Sequence, residues 1–263
     1  MSKQAAAFRS LHNGKKLLVL PNAWDPGSAR LMEKLGARAV ATTSAGMAWA
    51  AGYQDGNNMP PDVVTSITEN VARVIKVPLT VDIEGGYSSS AKAVAELAGR
   101  LAAAGAVGIN LEDGSDSPDL LARKIEGVKS ALAKRGLDLF VNARTDVYLA
   151  SLVDAPDAVE EVLKRAIQYQ QAGADGLFVP GVTALVEIRK ISEGTTLPLN
   201  VMAWDGLPSP DRLQGAGVRR LSAGSAISQR MWAQTKSLAR QFLSEGKLAP
   251  KALPYEDLQN LFE

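Results

Sequence analysis

At 263 residues the chain has room for one large α/β domain or two small ones, and its 46% hydrophobic and 22% charged residues are those of an ordinary globular protein. A net charge of +1, from 29 basic and 28 acidic residues with no basic run, speaks against nucleic acid or an anionic membrane surface as a partner. Without cysteine, and with His12 as its single histidine, the chain excludes disulfides, thiolate metal sites, a cysteine nucleophile and multi-histidine metal centres.

Residues 2–13 read as a short helix, with Phe8 and Leu11 facing inward and Asn13-Gly14 closing it. His12 falls in its last turn, where a positive imidazole suits the helix dipole, and takes a structural or surface role. A buried-type strand at 17–21 leads into a polar loop, Asn22 to Gly27, and a helix from Ser28 to Leu35 is stopped by Gly36. Further strands are predicted at 38–44, 78–84, 106–112, 138–143, 175–180, 197–202 and 218–223. Helices are predicted at 60–75, 90–104, 118–135, 156–172, 183–193 and 209–215.

A repeated turn sets the rhythm. Gly36-Ala37, Gly105-Ala106 and Gly173-Ala174 each follow a helical pattern and open an apolar strand, and Gly215-Ala216-Gly217 echoes them. The first three are 69 and 68 residues apart, about two β/α units of ~34 each. Eight strands alternating with helices predict a single (β/α)8 TIM-type barrel over 1–263. The alternative, an open dinucleotide-binding sheet, lacks the Gly-x-Gly-x-x-Gly turn after the first strand. The tail, 226–263, reads as a helical extension: an amphipathic helix at about 227–245, breaks at Pro250 and Pro254, and a last helix at 255–262. No stretch reaches the ~18 apolar residues of a membrane span and no signal-like segment opens the chain, so a cytoplasmic protein is expected.

In such a barrel the active site lies at the C-terminal ends of the strands. There the sequence places Asp55, after strand 2, and then Asp82 and Glu84, which share a face if extended structure lasts through Glu84. It also places Glu112 after strand 4, Arg144 after strand 5 and Asn200 on strand 7. Three bare carboxylates on neighbouring strands repel one another, and a divalent cation such as Mg2+ resolves this. Arg144 offers a guanidinium fork for an anionic substrate, with a salt bridge to the same acids as the alternative.

These residues carry a resemblance. Leu20-Pro21-Asn22-Ala23-Trp24-Asp25, Thr43-Ser44-Ala45-Gly46, Val81-Asp82-Ile83-Glu84-Gly85-Gly86-Tyr87, Asn110-Leu111-Glu112-Asp113 and Asn142-Ala143-Arg144-Thr145-Asp146 together resemble the isocitrate lyase/phosphoenolpyruvate mutase superfamily over nearly the whole chain. The resemblance implies a Mg2+ (or Mn2+) site with Asp82 as direct ligand and Glu84, Glu112 and Asp55 holding the metal's waters. It implies a small carboxylic-acid substrate held by Ser44, Ala45, Gly46, Arg144 and Asn200. It also implies a homo-oligomer, dimer or tetramer, that exchanges its C-terminal helix. The expected activity is a lyase cleaving a C–C bond beside the α-carbon of a 2-oxo or 2-hydroxy acid through an enolate. The gating loop Gly114-Ser115-Asp116-Ser117-Pro118 has neither cysteine nor histidine, which argues against isocitrate and methylisocitrate cleavage. Gly114 stands where the phosphonate branch usually carries lysine. The alternatives are a P–C bond hydrolase or mutase and a non-catalytic oxo-acid-binding protein.

Overall fold

The computed structural model describes residues 2–248 and 252–263. It opens with α1 (Lys3–Asn13), whose first turn is capped by the Ser2 hydroxyl accepting from Ala5 N–H at 3.1 Å. The first barrel strand is then split. Leu18–Leu20 (β1) and Asn22–Ala23 (β2) flank Pro21, which has no N–H for a ladder. So Asn22 and Ala23, expected in a loop, are strand residues.

Helix α2 (Pro26–Lys34) closes this first unit, and five more β/α units follow: β3 (Val40–Thr42) with α3 (Ser44–Ala50) and α4 (Pro61–Val74), β4 (Leu79–Asp82) with α5 (Ala91–Ala103), β5 (Gly108–Glu112) with α6 (Pro118–Lys134), β6 (Phe140–Arg144) with α7 (Ala158–Gln171), and β7 (Gly176–Phe178) with α8 (Leu185–Gly194). The chain ends with β8 (Leu199–Met202), α9 (Pro210–Gly215), β9 (Arg220–Ser222), α10 (Ala226–Glu245) and α11 (Tyr255–Gln259). Every pairing is parallel, and β1 pairs with β9 while β2 pairs with β3. Because β1 and β2 are halves of one strand, the nine segments form an eight-stranded barrel, as predicted.

Local chemistry explains the punctuation. Asp25 and Ser28 form a reciprocal capping box, so α2 begins at Pro26 rather than Ser28. Prolines sit in the first turn of α2, α4, α6 and α9, where a missing N–H costs nothing. Gly36, Gly105 and Gly173 have φ of 95°, 105° and 100°, which is the left-handed turn behind the repeated Gly-Ala signature; in the looser fourth copy the left-handed residue is Gly217, at 92°, rather than Gly215. Pro250, expected to break the tail, lies outside the described residues.

Helix α1 lies against the N-terminal end of the barrel and inserts Phe8 beside Leu18, Leu20, Ala41, Val107 and Phe140. Burying Phe8 completely is worth roughly 1.5–3 kcal/mol. His12 is buried with it, stacked on Phe140 at 4.3 Å, and its Nδ1–H donates to the Phe8 carbonyl at 2.8 Å. Burial, helped by the nearby Arg220 charge, pushes its pKa down to about 3. The expected positive imidazole is therefore neutral, because desolvation outweighs the helix dipole.

Beyond the barrel, α10 buries Ser228 alone among its residues. Ile227, Met231, Trp232, Leu238 and Phe242 are exposed, and Leu243 is 85% exposed. None of the helices among the described residues is long and apolar enough to cross a membrane.

Candidate active site

Asp82 ends β4 with its N–H donating to the Thr42 hydroxyl at 2.9 Å, which ties it to the neighbouring strand. Its Oδ2 accepts from Ser44 N–H at 3.3 Å, the amide that opens α3. Its Oδ1 is buried without a partner. Around it lies a cavity of about 180 Å³, reached by Ser44, Ala45, Asp55, Asp82, Asn110 and Arg144, with Phe178, Leu149 and Trp204 forming apolar walls.

Glu84 arrives differently from expected. The strand stops at Asp82, and Glu84 has φ of 52°, in the left-handed region. Asp82 and Glu84 therefore do not share a strand face as expected. Glu84 is buried instead against the 51–60 loop, where its Oε2 accepts from Asn57 N–H and its Oε1 has no partner. Asn57, itself at φ of 60°, completes a clasp: its Oδ1 accepts from Gly85 N–H and Tyr87 N–H, each at 3.2 Å. The loop carrying Asp55 is thus fastened to the turn after β4. Asn57 carries no sign of this role in the sequence beyond the Gly56-Asn57-Asn58 turn composition.

Arg144 makes the salt bridges and still lines the cavity. It lies 2.6 Å from Glu112 through Nη1 and 2.6 Å from Asp146 through Nε, while Nη2 donates to Asp146 at 2.8 Å. Its guanidinium sits 5.8 Å from the Phe178 ring centroid. Two carboxylates hold the fork rigid and leave N–H groups on both terminal nitrogens for a ligand.

The electrostatics are those of crowded acids. Burial, opposed by the Asn57 N–H and reinforced by the Asp55 and Asp82 charges, pushes the Glu84 carboxyl up to about 7. Burial, opposed by Arg144 and reinforced by Asp82, Asp146 and Glu84, pushes Glu112 up to about 8. Burial and the Asp82 charge also raise Asp55. Among the described residues no three acids or histidines close a ready-made cage. The partnerless oxygens of Asp82 and Glu84 and the mutual repulsion nevertheless fit a cation held by one carboxylate directly and by others through water.

Other expected residues sort clearly. Ser44 and Ala45 reach the cavity, whereas Gly46 lies behind them: a Cβ there would meet Thr43 at 2.6 Å and Trp24 at 2.9 Å. Asn200 is buried inside the barrel, donating to the Val201 carbonyl at 2.7 Å and to Ser222 at 3.2 Å, and it does not line the cavity. Asp113, next to Glu112, accepts from Arg165, from Tyr169 and from Asp146 N–H and is fully engaged. Asn22, Phe178 and Trp204 join the site at positions the strand-end argument left without a role.

A family model described as phosphoenolpyruvate phosphomutase matches residues 8–243. An uncharacterised protein of Mycobacterium tuberculosis is 34% identical over 259 residues, covering 96% of this chain and 95% of its own. The oxaloacetate decarboxylase of Paraburkholderia xenovorans is 29% identical, covering 94% of this chain and 84% of its own. A crystal structure from Burkholderia cenocepacia, described as a candidate phosphonomutase, superposes with a TM-score of 0.86 at 37% identity, covering 91% of this chain and 100% of that one.

Proposed function

Because this chain belongs to the phosphoenolpyruvate phosphomutase family, and so is an enzyme of the isocitrate lyase/phosphoenolpyruvate mutase superfamily, we propose that it is a Mg2+-dependent lyase cleaving a C–C bond next to the α-carbon of a small 2-oxo or 2-hydroxy acid. The observation that carries this reading is the cavity itself. Its ~180 Å³ is the space of about six water molecules at ~30 Å³ each, enough for an acid of three or four carbons. Within it a bare Asp82 oxygen faces the same space as the Arg144 fork.

Asp82 would hold the cation directly, with Glu84, Glu112 and Asp55 acting through its waters. When bound, the ion supplies Lewis-acid polarisation of the substrate's α-oxygen. Ser44 and Ala45 receive the substrate carboxylate, and Arg144 opposes the negative charge that develops as the C–C bond breaks and an enolate is left. Phe178, Leu149 and Trp204 limit chain length and exclude water.

Oxalate, a planar dianion shaped like the enolate of pyruvate, tests the reading. It should bind in calorimetry with Mg2+ and not without it, since the acids otherwise repel it. Binding that ignores Mg2+ overturns the chelation chemistry. Turnover of oxaloacetate and related acids distinguishes the enzyme from an oxo-acid-binding protein on the same scaffold. The 37% identity to the candidate phosphonomutase structure supports a second reading, a P–C bond hydrolase or mutase. Phosphate release from phosphonopyruvate selects it.

A further inference from the structure

Beneath the cavity lies a charge that the proposed chemistry leaves unused. Arg220, on β9, is 0% exposed inside the barrel. No carboxylate lies within ion-pair distance of it among the described residues, and its Nε and Nη1 have no partner. Among the described residues its one hydrogen bond runs from Nη2 to Asn110 Oδ1 at 3.2 Å. An unpaired buried guanidinium is expensive, so a purely structural role is a poor account of it.

Asn110 explains where that charge is directed. It sits opposite Asp82 in the β4–β5 register and lines the cavity. Its Oδ1 accepts two bonds, from Arg220 and from Asn142 Nδ2 at 3.0 Å. Turning the amide over would set its NH2 against two donors, so its orientation is fixed. Asn142 is held in turn by donating to Asn200 Oδ1 at 3.0 Å. The Asn110 Nδ2 donors have no protein partner among the described residues and are left for the cavity, polarised by a cation behind them.

We propose that Asn110 is a substrate-binding residue whose Nδ2 donates to an anionic oxygen of the ligand at the cavity floor, and that Arg220 is the positioning residue that fixes and polarises it. The ligand class is a small carboxylate or enolate-like dianion, so the inference rests on the oxo-acid reading above. It adds a donor on the face of the ligand opposite to the strand-end loops.

Oxalate with Mg2+ is the probe, titrated into wild type, Asn110→Ala, Arg220→Met and the double variant, with Mg2+ affinity measured separately. Asn110→Ala should weaken oxalate binding on the order of tenfold or more while Mg2+ affinity stays within about twofold. Arg220→Met should weaken it similarly without touching the cavity, and should add little in the Asn110→Ala background. Arg220→Lys should restore part of the loss, which a packing defect alone would not allow. Asn110→Asp guards against misfolding, because it gives Arg220 an ion pair: it should raise the Tm and still weaken oxalate binding. Unchanged oxalate affinity in Asn110→Ala, or fully additive losses in the double variant, overturns the proposal and leaves the oxo-acid reading standing. A wild type that binds no oxalate with Mg2+ overturns both.

Discussion

Asp82 and Glu84 are two residues apart and take different jobs. Asp82 ends a strand with one oxygen unpartnered, whereas Glu84 turns into the left-handed region and is clasped by Asn57. Asp82→Ala should therefore abolish Mg2+ binding and turnover, while Glu84→Gln should only weaken them; calorimetric Mg2+ titration decides, and unchanged affinity in Asp82→Ala would make the site structural. Arg144→Lys keeps the charge but loses the fork held by Glu112 and Asp146. Oxalate affinity should fall about ten- to a hundredfold, corresponding to roughly 1.5–3 kcal/mol for a charge-assisted bond; equal affinity would place Arg144 outside the site. Asp82 and Arg144 were legible because they stand at strand ends, whereas Asp55 was expected from the loop after the second strand and Ser44 from the resemblance. Asn57 and Arg220 were not. One acts through a contact 27 residues along the chain and the other is a charge where a barrel interior is expected to be apolar.

At the scale of elements, the alternation of strands and helices was legible from its glycine turns, and boundaries moved where side-chain capping or proline intervened. Helix α3 escaped notice because it has no amphipathic pattern: Ser44, Ala45, Gly46, Met47 and Ala48 are all buried, and Thr43 makes no side-chain cap. Helix α1 carries a testable consequence of burying an imidazole. With a folded pKa of about 3 against an ordinary 6.5, His12 takes up a proton in the unfolded chain first. Stability from its neutral burial is complete above about pH 6.5 and is lost as pH falls toward 3, at up to ~1.4 kcal/mol per pH unit. The urea-unfolding free energy of wild type should thus drop relative to His12→Leu by on the order of 2–3 kcal/mol between pH 6.5 and 4.5. Parallel curves for the two proteins would show that folding leaves the imidazole pKa where it is in the unfolded chain.

For the molecule as a whole, α10 is the anomaly, a 20-residue helix with its apolar side chains in the open. At its base Trp49, Tyr53 and Trp232 line an apolar hollow. Exposed apolar surface of this kind marks an interaction site, and we propose helix exchange between subunits as its use. Deleting residues 226–263 should give insoluble protein, whereas sedimentation of the full chain should show a dimer or tetramer; a soluble, active, truncated monomer refutes the exchange. The split first strand reaches further, into the order of folding. β1 meets β9 about 200 residues later in the chain through a short pairing that stops at Pro21, which cannot donate, and beyond it β2 pairs with β3 instead. On a growing chain that seam stays open until almost everything has been synthesised, and contacts so distant in sequence form slowly. The Asn22 side-chain Oδ1 accepts from Ala223 and Gly224 N–H at 2.8 and 3.0 Å across the same seam. The cavity wall and the cylinder are therefore completed in one late event, and a chain stalled before it would present bare strand edges and no site at all.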